Sequence, residues 1–292
     1  MPLENILLTL AQQTGRHLQN STLTAIGGGC INRAYRLKNT NIDWFIKINS
    51  PSLSTMFEAE AAGLTEMASL KAIRVPEVIC YGQTDQYSYL VLEYIPLHPL
   101  NSKSAALMGE QLAALHRLRQ PYFGWFMDNT IGSTPQHNTQ HDDWLAFWRS
   151  QRLLKQLEFA QRNGYGGKLQ KRGELLAEKL ATFFSDYSPF PSLLHGDLWG
   201  GNASADESGR PVIYDPACYY GDREADIAMT ELFGGFGADF YSAYNQSLAL
   251  DAGYLTRKTL YNLYHILNHL NLFGGGYLHQ AESMIESLLA QC

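Results

Sequence analysis

The chain is short of cysteine. Cys30, Cys80, Cys218 and Cys292 are the only four among 292 residues, too few and too scattered for a disulfide framework, so a reduced cytoplasmic setting is expected. No apolar run is long enough to span a bilayer, and the N-terminus has no basic-then-apolar leader pattern, so no membrane is expected as a partner. Positive charge is also short. Lys and Arg number 22 against 28 Asp and Glu, a formal net charge of -6, which argues against a nucleic-acid or anionic-membrane binder while leaving room for a local phosphate site. Charged residues make up 17% and hydrophobic ones 45%, a balance that favours a packed core over disorder. Internal repeats, low-complexity tracts and long linkers are absent too. The length suits one large domain or two modest ones.

What is there falls into two halves. Residues 3–13 read as a short amphipathic helix, and 21–26, 33–37 and 43–48 as strands. Thr55 to Leu70 favours helix, with Met56, Glu60, Leu64 and Met67 at three- and four-residue steps. Val78–Tyr81 and Tyr87–Tyr94 are β-rich. Pro96 and Pro99 then punctuate the chain, and this is the best boundary: strands dominate before it, helices after it. Ser102 reads as the N-cap of a helix reaching about Leu118. Further helices are expected over 142–161, 168–184, 222–233 and 236–248, and in two segments from Thr256 onward separated by Gly274-Gly275-Gly276.

The chemistry is concentrated in His195-Gly196-Asp197-Leu198-Trp199-Gly200-Gly201-Asn202 and, past the apolar run Pro211-Val212-Ile213-Tyr214, in Asp215-Pro216-Ala217. An Asp, an Asn five residues on and a second Asp beyond a short strand form the arrangement of kinase-like phosphoryl transfer. Asp197 would accept the acceptor's hydroxyl proton. Asn202 and Asp215 would hold a metal on the nucleotide phosphates. A turn-stabilising role for Asp197 alone would leave the other two spacings unexplained.

Upstream, Gly27-Gly28-Gly29-Cys30 between two strands suits a phosphate-covering loop, because glycine lets backbone N–H groups approach phosphate oxygens. A plain hairpin turn is the simpler alternative. Lys47 strengthens the first reading: it sits on the strand one step later, between apolar neighbours that mark a buried strand. A buried lysine needs a carboxylate. Glu60 shares a helical face with Met56, Leu64 and Met67 and is the expected partner, with Glu58 on the surface. Glu93, Tyr94 and Ile95, leading into Pro96, would form the hinge whose backbone meets adenine, or else an ordinary edge strand running into a linker.

Taken in order, Gly27 to Ile31, Phe45-Ile46-Lys47-Ile48-Asn49, Met56-Phe57-Glu58-Ala59-Glu60, the His195–Asn202 stretch, Tyr214-Asp215-Pro216-Ala217 and Phe233-Gly234-Gly235-Phe236 cover nearly the whole chain. On these residues it resembles the fructosamine kinase (ketosamine-3-kinase) family, a branch of the aminoglycoside-phosphotransferase-like kinases. The Leu-Trp continuation and the Asp-Pro-Ala triplet narrow the likeness to that branch. The resemblance implies an α+β, two-lobed, protein-kinase-like fold. A small antiparallel-sheet N-lobe would span 1–95 and a larger, mainly helical C-lobe 96–292.

The resemblance further implies ATP and Mg²⁺ as cofactors. It implies phosphorylation of the 3-hydroxyl of a ketosamine, free or on a glycated protein lysine, in a deglycation repair role. Asp226 resembles the superfamily aspartate that braces the catalytic loop, and His195 is a residue that packs within it. Trp199 is expected as the floor of the sugar site, with a core tryptophan as the alternative, and Asp142-Asp143-Trp144 either lines the same pocket or simply supplies acids at a helix start. Family members carry a cysteine at the position of Cys30 that can link subunits, so the protein would be a monomer or a redox-linked homodimer. His-Gly-Asp in place of His-Arg-Asp, Asp-Pro-Ala in place of Asp-Phe-Gly and the absence of Ala-Pro-Glu leave no room to dock a peptide along an activation segment; a small acceptor is favoured. The rival readings are a phosphotransferase for another amino-alcohol or an aminoglycoside, and a non-catalytic nucleotide-binding pseudokinase.

Overall fold

The computed structural model describes residues 4–27 and 31–292. The first third holds helix α1 (Glu4–Thr14), strands β1 (Thr22–Ile26), β2 (Arg33–Lys38) and β3 (Asp43–Asn49), helix α2 (Ser54–Leu70), and strands β4 (Val78–Gln83) and β5 (Ser88–Glu93). The five strands form one antiparallel sheet in the order β1-β2-β3-β5-β4, which makes β3 the central strand. Side chains alternate across a strand. On β3, Trp44, Ile46 and Ile48 therefore face Ile6 and Leu10 of α1 in an outer cluster, together with Tyr89 and Val91 of β5. The opposite face carries Phe45 and Lys47, beside Leu90 and Leu92.

Beyond Pro96 the chain is mainly helical: α3 (Ser102–His116), α4 (Trp144–Phe147), α5 (Leu154–Arg162), α6 (Lys168–Lys179), α7 (Glu224–Leu232), α8 (Ala238–Ser247), α9 (Tyr254–Phe273) and α10 (Leu278–Leu289). Short strands interrupt them: β6 (Asn129–Ile131) with β7 (Thr134–Gln136), β8 (Ser192–Leu194) with β11 (Tyr219–Gly221), and β9 (Ala203–Ala205) with β10 (Pro211–Ile213). A π-helical segment, Trp148–Leu153, joins α4 to α5. The main core is continuous across the cleft: Phe57, Leu64 and Met67 of α2 belong to the same buried cluster as α3, α7 and α9. No helix among the described residues is long and apolar enough to cross a membrane.

The expected helix starts at 142, 222, 236 and 256 fall at Trp144, Glu224, Ala238 and Tyr254, and one cap differs in identity. The cap of α3 is Asn101, not Ser102: its side chain accepts from the N–H groups of Lys103 and Ser104, and the Ser104 hydroxyl accepts from the Asn101 N–H. The reciprocal box satisfies more orphan N–H groups than a lone serine could. The helix also stops two residues short of Leu118.

Candidate active site

Lys47 reaches the cleft from the sheet's inner face and is almost fully buried. Its Nζ donates to Glu60 Oε1 at 2.7 Å and to Asp215 Oδ1 at 2.5 Å. Helical periodicity selects Glu60. Met56, Ala59, Gly63, Leu64 and Met67 bury one face of α2, and Glu60 lies at its edge while Glu58 is exposed. Burial alone would strip the charge from Lys47, but the two carboxylates hold its pKa well above the ordinary lysine value. Burial pushes the Glu60 carboxyl upward, opposed by Lys47 and assisted by Asp215.

The loop carrying Asp197 leaves β8 and is pinned from beneath. Asp226, fully buried near the start of α7, accepts from the N–H groups of His195 (2.7 Å) and Gly196 (2.8 Å). His195 donates from Nε2 to the Tyr214 carbonyl at 2.9 Å and accepts the Asp197 N–H, so it ties the two motifs together; burial lowers its pKa and keeps the ring neutral. Gly196 permits the contact. Its φ is +81°, and a Cβ there would sit 2.1 Å from the Ala217 carbonyl oxygen. The same two loops are stitched by the Ala217 N–H donating to the His195 carbonyl at 2.9 Å.

Asn202 Nδ2 donates to both the carbonyl and Oδ2 of Asp197, at 2.8 and 3.2 Å. Burial, then the nearby charge of Asp215, pushes the Asp197 carboxyl up to about 7 against the pull of the Asn202 amide. Asp215 adopts φ +59°, a left-handed conformation uncommon outside glycine, and such strain often collects at working sites. Its side chain remains 45% exposed, so the oxygen not held by Lys47 is open to a ligand. Among the described residues no cluster of three His, Cys, Asp or Glu could hold a metal.

These groups line a cavity of about 850 Å³ between sheet and helices, within the range of small-molecule sites. Gly27 lies at its edge; Gly28, Gly29 and Cys30, and with them the expected phosphate loop and redox link, fall outside the described residues. The hinge is more selective than expected. The Glu93 N–H donates to Glu77 and the Tyr94 N–H to Asp43, so neither is left for a base. Ile95 lines the cavity, and its N–H has no partner among the described residues. Glu93 instead spends its carboxylate on Arg74, which also pairs with Asp206 on the helical side. Trp199 is 39% exposed and edge-on to Phe233, so it forms the rim of the cavity rather than its floor. Asp142 and Asp143 do not line the cavity: Asp143 caps Ala146 at 2.7 Å, and Trp144 is buried in the aromatic core.

Two groups of residues were not anticipated. His116 is fully buried on α3, with Nε2 3.2 Å from Asp226 and Nδ1 2.8 Å from the Tyr244 hydroxyl, and so braces the brace. Its signal was available: it follows Leu112 by one helical turn on the buried stripe of α3. The second group is the face of α9 formed by His265, Asn268, His269, Leu272 and Phe273, all lining the cavity at three- and four-residue spacing. Polar residues recurring at that spacing inside a buried helix were the legible sign.

A family model for fructosamine kinase matches residues 2–291. A probable ketoamine kinase from Synechocystis is 45% identical over 289 residues, covering 99% of this chain and 97% of the relative. The chloroplastic protein-ribulosamine 3-kinase of Arabidopsis thaliana is 42% identical, covering 94% and 85%. A crystal structure described as a "putative fructosamine-3-kinase" from Haemophilus somnus superposes with a TM-score of 0.87 at 30% identity, covering 97% and 96%. An aminoglycoside phosphotransferase solved with AMP-PNP and hygromycin B shares the protein-kinase-like fold, with a TM-score of 0.67 at 14% identity over 99% and 98%.

Proposed function

The chain belongs to the fructosamine kinase family and is a kinase, and we propose that it transfers the γ-phosphate of ATP to the 3-hydroxyl of a ketosamine, free or on a glycated protein lysine. The observation that carries this reading is the meeting of Lys47, Asp197, Asn202 and Asp215 on one cavity, drawn from a sheet and two separate loops. A non-catalytic nucleotide binder has no need of Asp197. The domain reading follows: residues 1–95 hold the nucleotide, and 96–292 supply the catalytic loop and the acceptor site.

In this reading Asp197 orients the acceptor hydroxyl and takes its proton late in transfer. A carboxyl lifted to about 7 is a better proton acceptor than an ordinary aspartate. Lys47 contacts the α- and β-phosphates, and Glu60 keeps its ammonium charged and aimed into the cleft. The Ile95 N–H is the hinge donor for adenine. Asn202 has spent its N–H₂ on Asp197, which leaves its carbonyl oxygen as the group for a cation. With Asp215 it gives a hard, oxygen-only donor pair, which fits Mg²⁺ when nucleotide phosphates complete the shell. When bound, Mg²⁺ would neutralise charge on the phosphate oxygens. Trp199 at the rim offers an aromatic edge and face to the sugar or its ammonium.

A ketosamine 3-phosphate is expected to be unstable and to shed its sugar, so the implied role is repair of glycated amines, in the cytoplasm. Coupled ATP consumption with ribulose-lysine, fructose-lysine and an aminoglycoside side by side tests the reading. Turnover with either ketosamine supports it. Turnover confined to the aminoglycoside, or ADP binding without turnover on any acceptor, overturns it.

A further inference from the structure

We propose that His265, at the deep end of the cavity-facing side of α9, is a specificity-determining residue that hydrogen-bonds a hydroxyl of the acceptor's polyol chain. This deepens the ketosamine reading and rests on it.

The argument starts from depth. A helix rises about 1.5 Å per residue, so the face from His265 to Phe273 spans about 12 Å. Along it exposure climbs from 5% at His265 and 3% at Asn268 to 61% at Phe273. The wall of the cavity is therefore polar at its base and aromatic at its mouth, where Phe233 and His269 pack 5.0 Å apart and Phe233 meets Trp199.

His265 is the anomaly on this wall. Its carbonyl accepts from His269, but among the described residues no group hydrogen-bonds its ring, which lies edge-on to Tyr264 with the ring centroids 5.2 Å apart. Buried polar groups are paired in the large majority of cases, and an exception that lines a cavity calls for a ligand. Among the described residues Asn268 beside it is held only by long contacts, at 3.4 Å to the Ile131 carbonyl and 3.5 Å from Gln156, so the base of the wall has further polar capacity to spare.

The imidazole is also kept uncharged. Burial first, then His269 and Arg152, push its pKa down to about 3, with only Asp226 opposing. Arg152 is fully buried on the π-helical segment, bonded to the His137 carbonyl and to Asn138 and stacked on Tyr219, with no carboxylate partner among the described residues. A neutral imidazole carries one donor and one acceptor. That matches a hydroxyl, which also does both, whereas an ammonium, all donors, would use only the acceptor. The polyol would thus enter first, and the amine and its carrier would trail toward the aromatic mouth.

The test uses wild type, His265→Leu and His265→Asn with a ketosamine and ATP, together with ketosamines lacking one hydroxyl other than the reacting one. One hydrogen bond is expected to be worth about tenfold. His265→Leu should raise KM for the ketosamine by that factor with KM for ATP unchanged, and His265→Asn should recover part of it. One deoxy acceptor should cost the wild type about tenfold and cost His265→Leu nothing further. Equal rises in both KM values, or lost thermal stability with KM for the ketosamine unchanged, would assign a structural role and overturn the proposal. Should His265→Leu fail to fold, wild type indifferent to every deoxy acceptor overturns it alone. A wild type that turns over no ketosamine overturns the ketosamine reading and this assignment with it.

Discussion

Lys47 and Asp215 lie 168 residues apart in the chain and meet at 2.5 Å across the cleft. The contact joins the sheet to the loop that follows β10. It gives the cleft a definite width, and Glu60 completes a three-member charge group around one ammonium.

Removing the ammonium leaves two neighbouring carboxylates without their cation. Lys47→Met is therefore expected to destabilise the fold by about 3–5 kcal/mol as well as to raise KM for ATP. Glu60→Gln keeps a hydrogen-bond acceptor and should raise KM for ATP while costing less stability. Denaturant melts and ATP titrations on both variants check this; equal stability losses would mean that Glu60 carries more of the anchoring than Asp215.

Asp197→Asn keeps shape and removes the proton acceptor. A fall in kcat of about 10²–10⁴ is expected, with ADP affinity little changed. Steady-state kinetics beside calorimetric ADP binding decides it, and full turnover in the variant would return the reading to a binding protein.

Gly196→Ala asks the Ala217 carbonyl to move from 2.1 Å and a side chain to accept φ +81°. The expected outcome is a loss of about 1–3 kcal/mol in stability and a fall in kcat beyond what lost folding explains, since the loop bearing Asp197 must shift. A variant with wild-type melting temperature and rate would show that the loops tolerate separation.

Asp226 is one contributor to the acid limb of stability. Despite the opposing cost of burial, His116, then His195, then the Gly196 N–H hold its carboxyl below the ordinary 3.8. A depressed folded pKa contributes stability that is fully present above the unfolded value and is lost as pH falls through the folded one. Asp226→Asn should thus be least stable relative to wild type above about pH 5, and the gap should narrow below about pH 4. Urea melts from pH 7 to 3 measure the gap; one that widened toward acid would reverse the sign and refute the assignment.

Trp199→Ala should raise KM for a ketosamine by several-fold, on the order of the about 1 kcal/mol an aromatic contact contributes, and leave KM for ATP alone. Parallel rises in the two constants would place the ring in loop support instead.

Much of the site was legible because its spacings are local. The five-residue step from Asp197 to Asn202 and the strand-then-turn before Asp215 can be read without a fold. The choice of Glu60 over Glu58 needed only the 3.6-residue period of α2. The strands and helices followed from periodicity, while the Asn101 cap was missed because two adjacent polar residues compete for one role and backbone geometry arbitrates. Trp199 was expected beneath the sugar because an aromatic beside a catalytic aspartate says nothing about depth; its 39% exposure and its edge-on contact with Phe233, just past α7, are set by the tertiary structure.

By itself, then, the amino-acid order determined which chemical groups this protein has, which face of each element is apolar, and which family it belongs to. Those are matters of nearest neighbours along the chain. Tertiary structure alone decided that Asp215 would neutralise Lys47, that His116 would stand behind Asp226, and that, among the described residues, the Ile95 N–H and the buried His265 ring would be left without a hydrogen-bond partner. Each of those depends on distance and desolvation between segments that no local rule relates, because burial and pairing are set only when the two sides of the cleft close on each other.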